Sequence, residues 1–185
     1  MALRLPKTVE SDPRGSQLLR DLTTQSRLLW PKSAIGTPVA VLTAELAAAL
    51  RNAYGAGQVV RGLETAERRL AAEERGLQMA AKQAGTPRGV RISRLLLLAN
   101  DGAERFYRNI ETLLLRHGLR VLAVRLELDE KGLGELLFGP GHVARLLMLE
   151  HKQAVASVLL ALAGQWEASR GSNTLRHPPG DGLRP

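Results

Sequence analysis

The chain has 185 residues, enough for one domain with a substantial core plus flanking segments. Apolar residues make up 44% of it but aromatics only 3%, so the core is expected to rest on Leu, Val and Ala, and a reader of single strands that stacks bases on exposed rings is disfavoured. The net charge is +8, with Arg supplying 21 of 26 basic residues, and Cys is absent, which excludes disulfides, thiolate zinc sites and a Cys nucleophile.

Residues 1–38 mix charges, Ser and Thr with Pro13, Pro31 and Pro38 and show little periodicity; "RLLW" is the one candidate element. They are expected as an N-terminal arm or small subdomain. "MALRLPKTVE" lacks the apolar centre of a secretory signal, and Glu10, Asp12 and Asp21 weigh against an organellar transit peptide. No apolar run approaches the ~20 residues of a membrane span. A cytoplasmic protein with no membrane partner is expected.

From Thr43 the chain acquires a rhythm. "TAELAAALRNAYG" reads as a helix capped by Thr43 and stopped at Gly55, with Leu46, Ala49, Leu50 and Tyr54 on one face. "GQVVRG" is a short strand or extended link. "LETAERRLAAEERGLQMAAKQAG" is rich in helix formers and ends at Gly85. "VRISRLLLLA" predicts a strand covered on both faces, and Asn100 or Asp101 is placed to cap the helix that follows, whose inner face is Phe106, Ile110, Leu113 and Leu114. "LRVLAVRLEL" is a second interior strand, Asp129 caps the short helix "EKGLGELLFG", and "HVARLLML" is a third strand. The final helix, "HKQAVASVLLALAG", turns Val155, Val158, Leu159 and Leu162 inward. Strands alternating with helices predict an α/β fold: a three-layer α/β/α sandwich over residues 39–168 with a small sheet of four or five strands. Residues 169–185 are rich in Gly, Pro and Ser and are expected to be a disordered tail.

Catalytic chemistry finds little support. The junction "LLLLANDGAER" sits where α/β folds bind phosphate, but it holds one glycine, and Asp101 would put a carboxylate in the anion's place. His142 and His151 flank one strand and, if it is extended, stand too far apart along it to share a metal ion. His117 lies in the last turn of a helix, where the dipole favours its positive form. Ser93 and Ser157 lack a G-x-S-x-G elbow. Glu73 with Glu74, and Asp129 with Glu130, are adjacent in sequence and read as solvated charges and caps. No cofactor and no metal are expected.

The basic excess points to a polyanion, because the planar guanidinium donates two hydrogen bonds to a phosphate at once. It is spread along the chain, and scattered solvated Arg is the alternative reading. Two groupings stand out: Arg61, Arg68 and Arg69 around Gly62, and Arg88, Arg91 and Arg94 at and after the "GTPRG" turn. Arg61 and Arg68 share a face if the helix begins at 61. Arg68 either joins them on a phosphate or pairs with Glu64 four residues back.

"GQVVRGLETAERRL", then "RLLLLANDGAE", "HGLRVLAVRLELDEKGLGELL" and "VARLLMLEHKQAVASVLLAL", resemble in order the pelota-type RNA-binding superfamily, which includes the archaeal kink-turn-binding ribosomal protein, its bacterial relatives and the C-terminal part of release factors. The resemblance runs from Gly57 to Gly164 and implies structured RNA, and ribosomal or translation proteins, as partners. Members hold RNA with G-x-N-E-x-x-K at a helix start. Here Gly62 keeps the glycine, Glu64 and Thr65 replace the Asn-Glu pair, and Arg68 stands for the Lys. The residues expected to face RNA are therefore Arg61, Gly62, Glu64, Thr65, Arg68, Arg69, Arg88 and Arg91. A second alignment starts the family's first helix at "RGLQMAAKQAG" and moves the RNA-facing start to 86–89. Two rival functions stay open: a protein-docking adaptor using Leu137 and Phe138 of "GLGELLFGPGH", and an open-sheet enzyme with its site near Asn100 and Glu127.

Overall fold

The computed structural model describes residues 3–85 and 91–174. Six strands form one mixed sheet: β1 (Ser26–Leu28), β2 (Gly36–Ala40), β3 (Val59–Arg61), β4 (Arg94–Leu98), β5 (Val121–Leu126) and β6 (Leu146–Leu149). Their spatial order is β1-β2-β5-β4-β6-β3. β5 runs parallel to β2 and β4, while β1, β6 and β3 are antiparallel to their neighbours.

The alternation of side chains along the inner strands builds two cores. Leu95, Leu97, Leu147 and Leu149 face one layer, made of α1 (Lys7–Glu10), α2 (Gly15–Thr24), α3 (Ala44–Gly55), α6 (Glu130–Phe138) and α7 (Lys152–Thr174). Leu96, Leu98, Leu146 and Met148 face the other, made of α4 (Leu63–Ala84) and α5 (Glu104–His117). The apolar run that announced β4 is thus explained residue by residue, since each of its four leucines is fully buried on one face or the other. Each such leucine contributes about 1.5–3 kcal/mol relative to exposure. The fold is the α/β sandwich expected.

The sheet is wider than expected because residues before 41 supply β1 and β2. "GTPVA" carries Gly36 and Pro38, which weaken local strand preference. Pairing with β5, Val39 opposite Arg125, makes it a strand regardless. The segment read as an arm also places Leu5, Val9, Leu18 and Leu22 in the same core cluster as β4 and α7. At the other end α7 continues to Thr174, and residues 175–185 lie outside the described ones.

Local signals held at most helix ends. Thr43 Oγ1 accepts from the Leu46 amide at 3.2 Å, Asp129 Oδ1 from the Gly132 amide at 2.7 Å, and Gly85 ends α4 with φ +62°. Three expectations need correction. Tyr54 points outward, 43% exposed, while Ala47 and Ala53 join Leu46 and Leu50 inside. On α5 the fully buried line is Tyr107, Ile110 and Leu113, with Phe106 and Leu114 only partly covered. Neither Asn100 nor Asp101 caps α5. Its cap position is Ala103, because the chain first curls around Tyr107, whose hydroxyl accepts from the Gly102 amide at 3.2 Å and donates to the Ala99 carbonyl at 2.7 Å. Asp101 instead accepts from the Glu130 amide at 3.0 Å and so serves the first turn of α6.

Candidate nucleic-acid interface

β3 ends in Arg61, Gly62 turns the chain with φ +87°, and α4 begins at Leu63. The Gly62 amide donates to the Leu146 carbonyl at 2.9 Å, which fixes the helix start against the beginning of β6. A glycine offers no capping side chain. Among the described residues the amides of Leu63, Glu64 and Thr65 have no hydrogen-bond partner, and the first return bond is Ala66 N–H to the Gly62 carbonyl at 3.1 Å. These open donors carry the positive end of a 22-residue helix.

The Arg residues around this start differ in their engagement. Arg61 lies in the strand and not on the helix, so it does not share a helical face with Arg68. Its guanidinium donates to the Val143 carbonyl and sits 4.9 Å from the centre of the Phe138 ring. Arg69 is 3.8 Å from a Glu150 carboxylate oxygen. Arg68 is exposed and makes no ion pair among the described residues, so the pairing with Glu64 considered from spacing does not form. Glu64 is exposed and Thr65 half-buried on the same first turn.

A second element closes on this corner that spacing did not single out. The turn between α6 and β6 uses Gly139 at φ +87° and Gly141 at φ +80° and leaves His142 and Val143 exposed. Arg61 binds it directly through the Val143 carbonyl. Phe138 meets Tyr54 edge-on at 5.1 Å and His142 at 6.4 Å between ring centres. The six aromatic residues of the chain argued against ring surfaces, yet packing brings one partly exposed pair to this place. The signal available in sequence was "GPGH", two glycines framing a proline directly before a histidine.

The Arg88–Arg94 grouping goes elsewhere. Leu98 is opposite Leu146 and Gly62 adjoins Leu146, so the α4 start lies at the C-terminal end of β4. Arg91 precedes the N-terminal end of that strand, roughly 20 Å away along it. There Arg91 donates to the Leu5 carbonyl at 2.8 Å and pairs with Glu10 at 2.5 Å, holding the first residues against the sheet. Arg88 lies outside the described residues. The alternative helix start at 86–89 also lies there, but α4 passes without a break through "RGLQMAAKQA", so the helix that follows β3 begins at Leu63.

At the same far end, Glu73 and Glu74 depart from the solvated role expected of them. Glu73 accepts from Arg94 at 2.6 Å and from Arg120 at 2.8 Å, with both Arg side chains largely buried. His117 is buried beside this cluster; burial first, then the positive charge of Arg120, lower its pKa below the ordinary value, against the opposing pull of Glu74. The fold therefore favours its neutral form and overrides the helix dipole.

The features behind the rival readings are also placed. Leu137 is only 8% exposed and Phe138 packs against the core, so the apolar surface invoked for an adaptor is mostly interior. Asn100 and Glu127 lie exposed beyond the ends of β4 and β5. Among the described residues no group of three or more His, Asp or Glu is placed to hold a metal ion, and no helix is long and apolar enough to cross a membrane.

No protein-family model and no curated protein matches the chain. A solved structure of a protein with unknown function from Bacillus halodurans C is similar over 66% of this chain and 99% of its own, at 19% identity and a TM-score of 0.40.

Proposed function

We propose that this protein binds structured RNA without catalysing a reaction, in the context of translation or ribosome assembly, and holds the RNA backbone with the open start of α4. The observation that carries the reading is the combination at one corner of three unpartnered amides after Gly62 and the unpaired guanidinium of Arg68. A helix N-terminus and Arg are the two commonest ways a protein meets a phosphate without reading its base. Arg61, Arg69 and the turn carrying His142 and Val143 extend the surface, and Tyr54 beside Phe138 offers it a ring face. Glu64 and Thr65, at the positions where the resembled family has Asn and Glu, make this corner a backbone holder more than a reader of bases. The order strand, helix, strand, short helix, strand and Ala-rich helix, here β4 to α7, supports the resemblance on which the ribosomal context rests.

Salt titration of binding to total cellular RNA tests the reading. Affinity is expected to fall steeply with salt, because each neutralised phosphate releases condensed counterions. Absence of binding at low salt rejects it.

A further inference from the structure

At the end of the sheet opposite Gly62 a cavity of about 1230 Å³ opens between α4, the segment leading into β4 and the first turns of α1 and α7. Its size exceeds the roughly 300–1,000 Å³ typical of sites for small ligands. The walls are largely apolar, with Leu77 of α4, Ile92 before β4, and Ala156 and Leu160 of α7. Five cations line it among the described residues, Lys7, Arg91, Arg94, Arg120 and Lys152, against the single carboxylate of Glu73.

That carboxylate is already shared by Arg94 and Arg120, and Arg91 is paired with Glu10. Lys7 and Lys152 are exposed and make no ion pair among the described residues, so they are the charges left for a ligand. Behind the lining surface, Ser93 Oγ and Arg120 Nε are buried without a hydrogen-bond partner. No Phe, Tyr or Trp is among the described lining residues, which removes the ring surfaces a nucleobase would stack on.

We propose that this cavity is a binding site for an amphipathic anion, an aliphatic chain ending in a phosphate or carboxylate. The chain lies on Leu77, Ile92 and Leu160, and the head group meets Lys7 and Lys152. The site is independent of the RNA surface, which lies at the other end of the sheet.

Calorimetric titration of the full chain with decyl phosphate, decanol and inorganic phosphate tests this. Saturable one-to-one binding of decyl phosphate is expected, at least tenfold tighter than either decanol or inorganic phosphate. Lys152→Glu is expected to weaken it about tenfold, and Ser157→Trp, a substitution at an exposed lining position, to abolish it by setting a bulky ring in the path of the aliphatic chain, with circular dichroism showing both variants folded. Equal affinity for decanol, or binding that survives Ser157→Trp, overturns the proposal, as does absence of saturable binding. A parallel sedimentation with phosphatidylglycerol vesicles separates the two sources of such a ligand. Co-sedimentation abolished by Ser157→Trp supports a bilayer lipid, binding of decyl phosphate without co-sedimentation supports a free acyl anion, and co-sedimentation retained in Ser157→Trp overturns the site. RNA affinity is expected to be the same in Ser157→Trp and the parent protein, so loss of one activity leaves the other standing.

Discussion

Where β3 runs into α4, Arg68 stands exposed and unpaired beside a row of open amides; where β4 begins, Arg94 and Arg120 are largely buried and both close on Glu73. The same residue type thus has opposite uses at the two ends of one sheet. An exposed guanidinium keeps its hydration until a phosphate replaces it, whereas a buried one is stable only with a carboxylate beside it. Net charge cannot distinguish these cases. The +8 of the sequence raised the expectation of a polyanion partner, but a guanidinium group is open to any such partner only where the fold leaves it without a carboxylate.

The largest effect is expected at Glu73. Glu73→Ala leaves the largely buried Arg94 without its carboxylate and Arg120 with only Glu74 at 3.8 Å, and a loss of about 3 kcal/mol in urea denaturation is expected. A change below about 0.5 kcal/mol would mean that the cluster is solvated after all and that the two ends do not differ. Asp101→Ala removes the acceptor for the Glu130 amide and is expected to cost about 1 kcal/mol while leaving RNA affinity unchanged, since this contact is architectural. Loss of RNA binding in a folded Asp101→Ala protein would extend the functional corner to the end of β4.

A smaller effect is expected on lowering the pH. Glu111 accepts hydrogen bonds from Trp30 Nε1 at 2.6 Å, from Ser33 Oγ at 2.8 Å and from the Ala34 amide at 2.7 Å, tying the β1–β2 connection to α5. The Trp30 bond first, and then that of Ser33, hold its carboxyl below the usual value. A depressed folded pKa stabilises above the unfolded pKa, and the contribution disappears as pH falls through the folded one. In a Trp166→Phe background, Trp30 fluorescence is expected to change in that acid range and Glu111→Gln to remove the transition. The smallest stability change belongs to Arg68→Ala, which should leave the melting temperature within a degree or so while the slope of log affinity against log salt falls by about one unit. An unchanged slope would remove Arg68 from the interface and leave the contrast between the two ends without a functional meaning.

Some of this was legible in the chain itself. The four leucines before Asn100, the Thr43 and Asp129 caps and the terminating Gly85 each express a local rule, so the inner strands and most helices could be placed from spacing alone. β2 was not, because its Gly and Pro conceal a strand that exists through its partner. Tyr54 misled because a helical stripe defined by four apolar residues can be rotated by one position, and only packing on α7 and α6 selects Ala53 over it.

The chain's local pattern was enough to set the inner strands and the helices from Thr43 onward, the aliphatic core, and the glycine that opens the helix of the Gly57–Gly85 region. Those properties follow from neighbours within a few residues. It took the packing of distant elements to make Asp101 serve α6 and not α5, to hold Glu73 between Arg94 and Arg120 at 21 and 47 positions' distance, and to bring Arg61 to a turn 82 residues away. Charges separated this far in sequence have no preferred partner until the sheet brings their strands together, so whether an Arg is structural or free is a property of the fold.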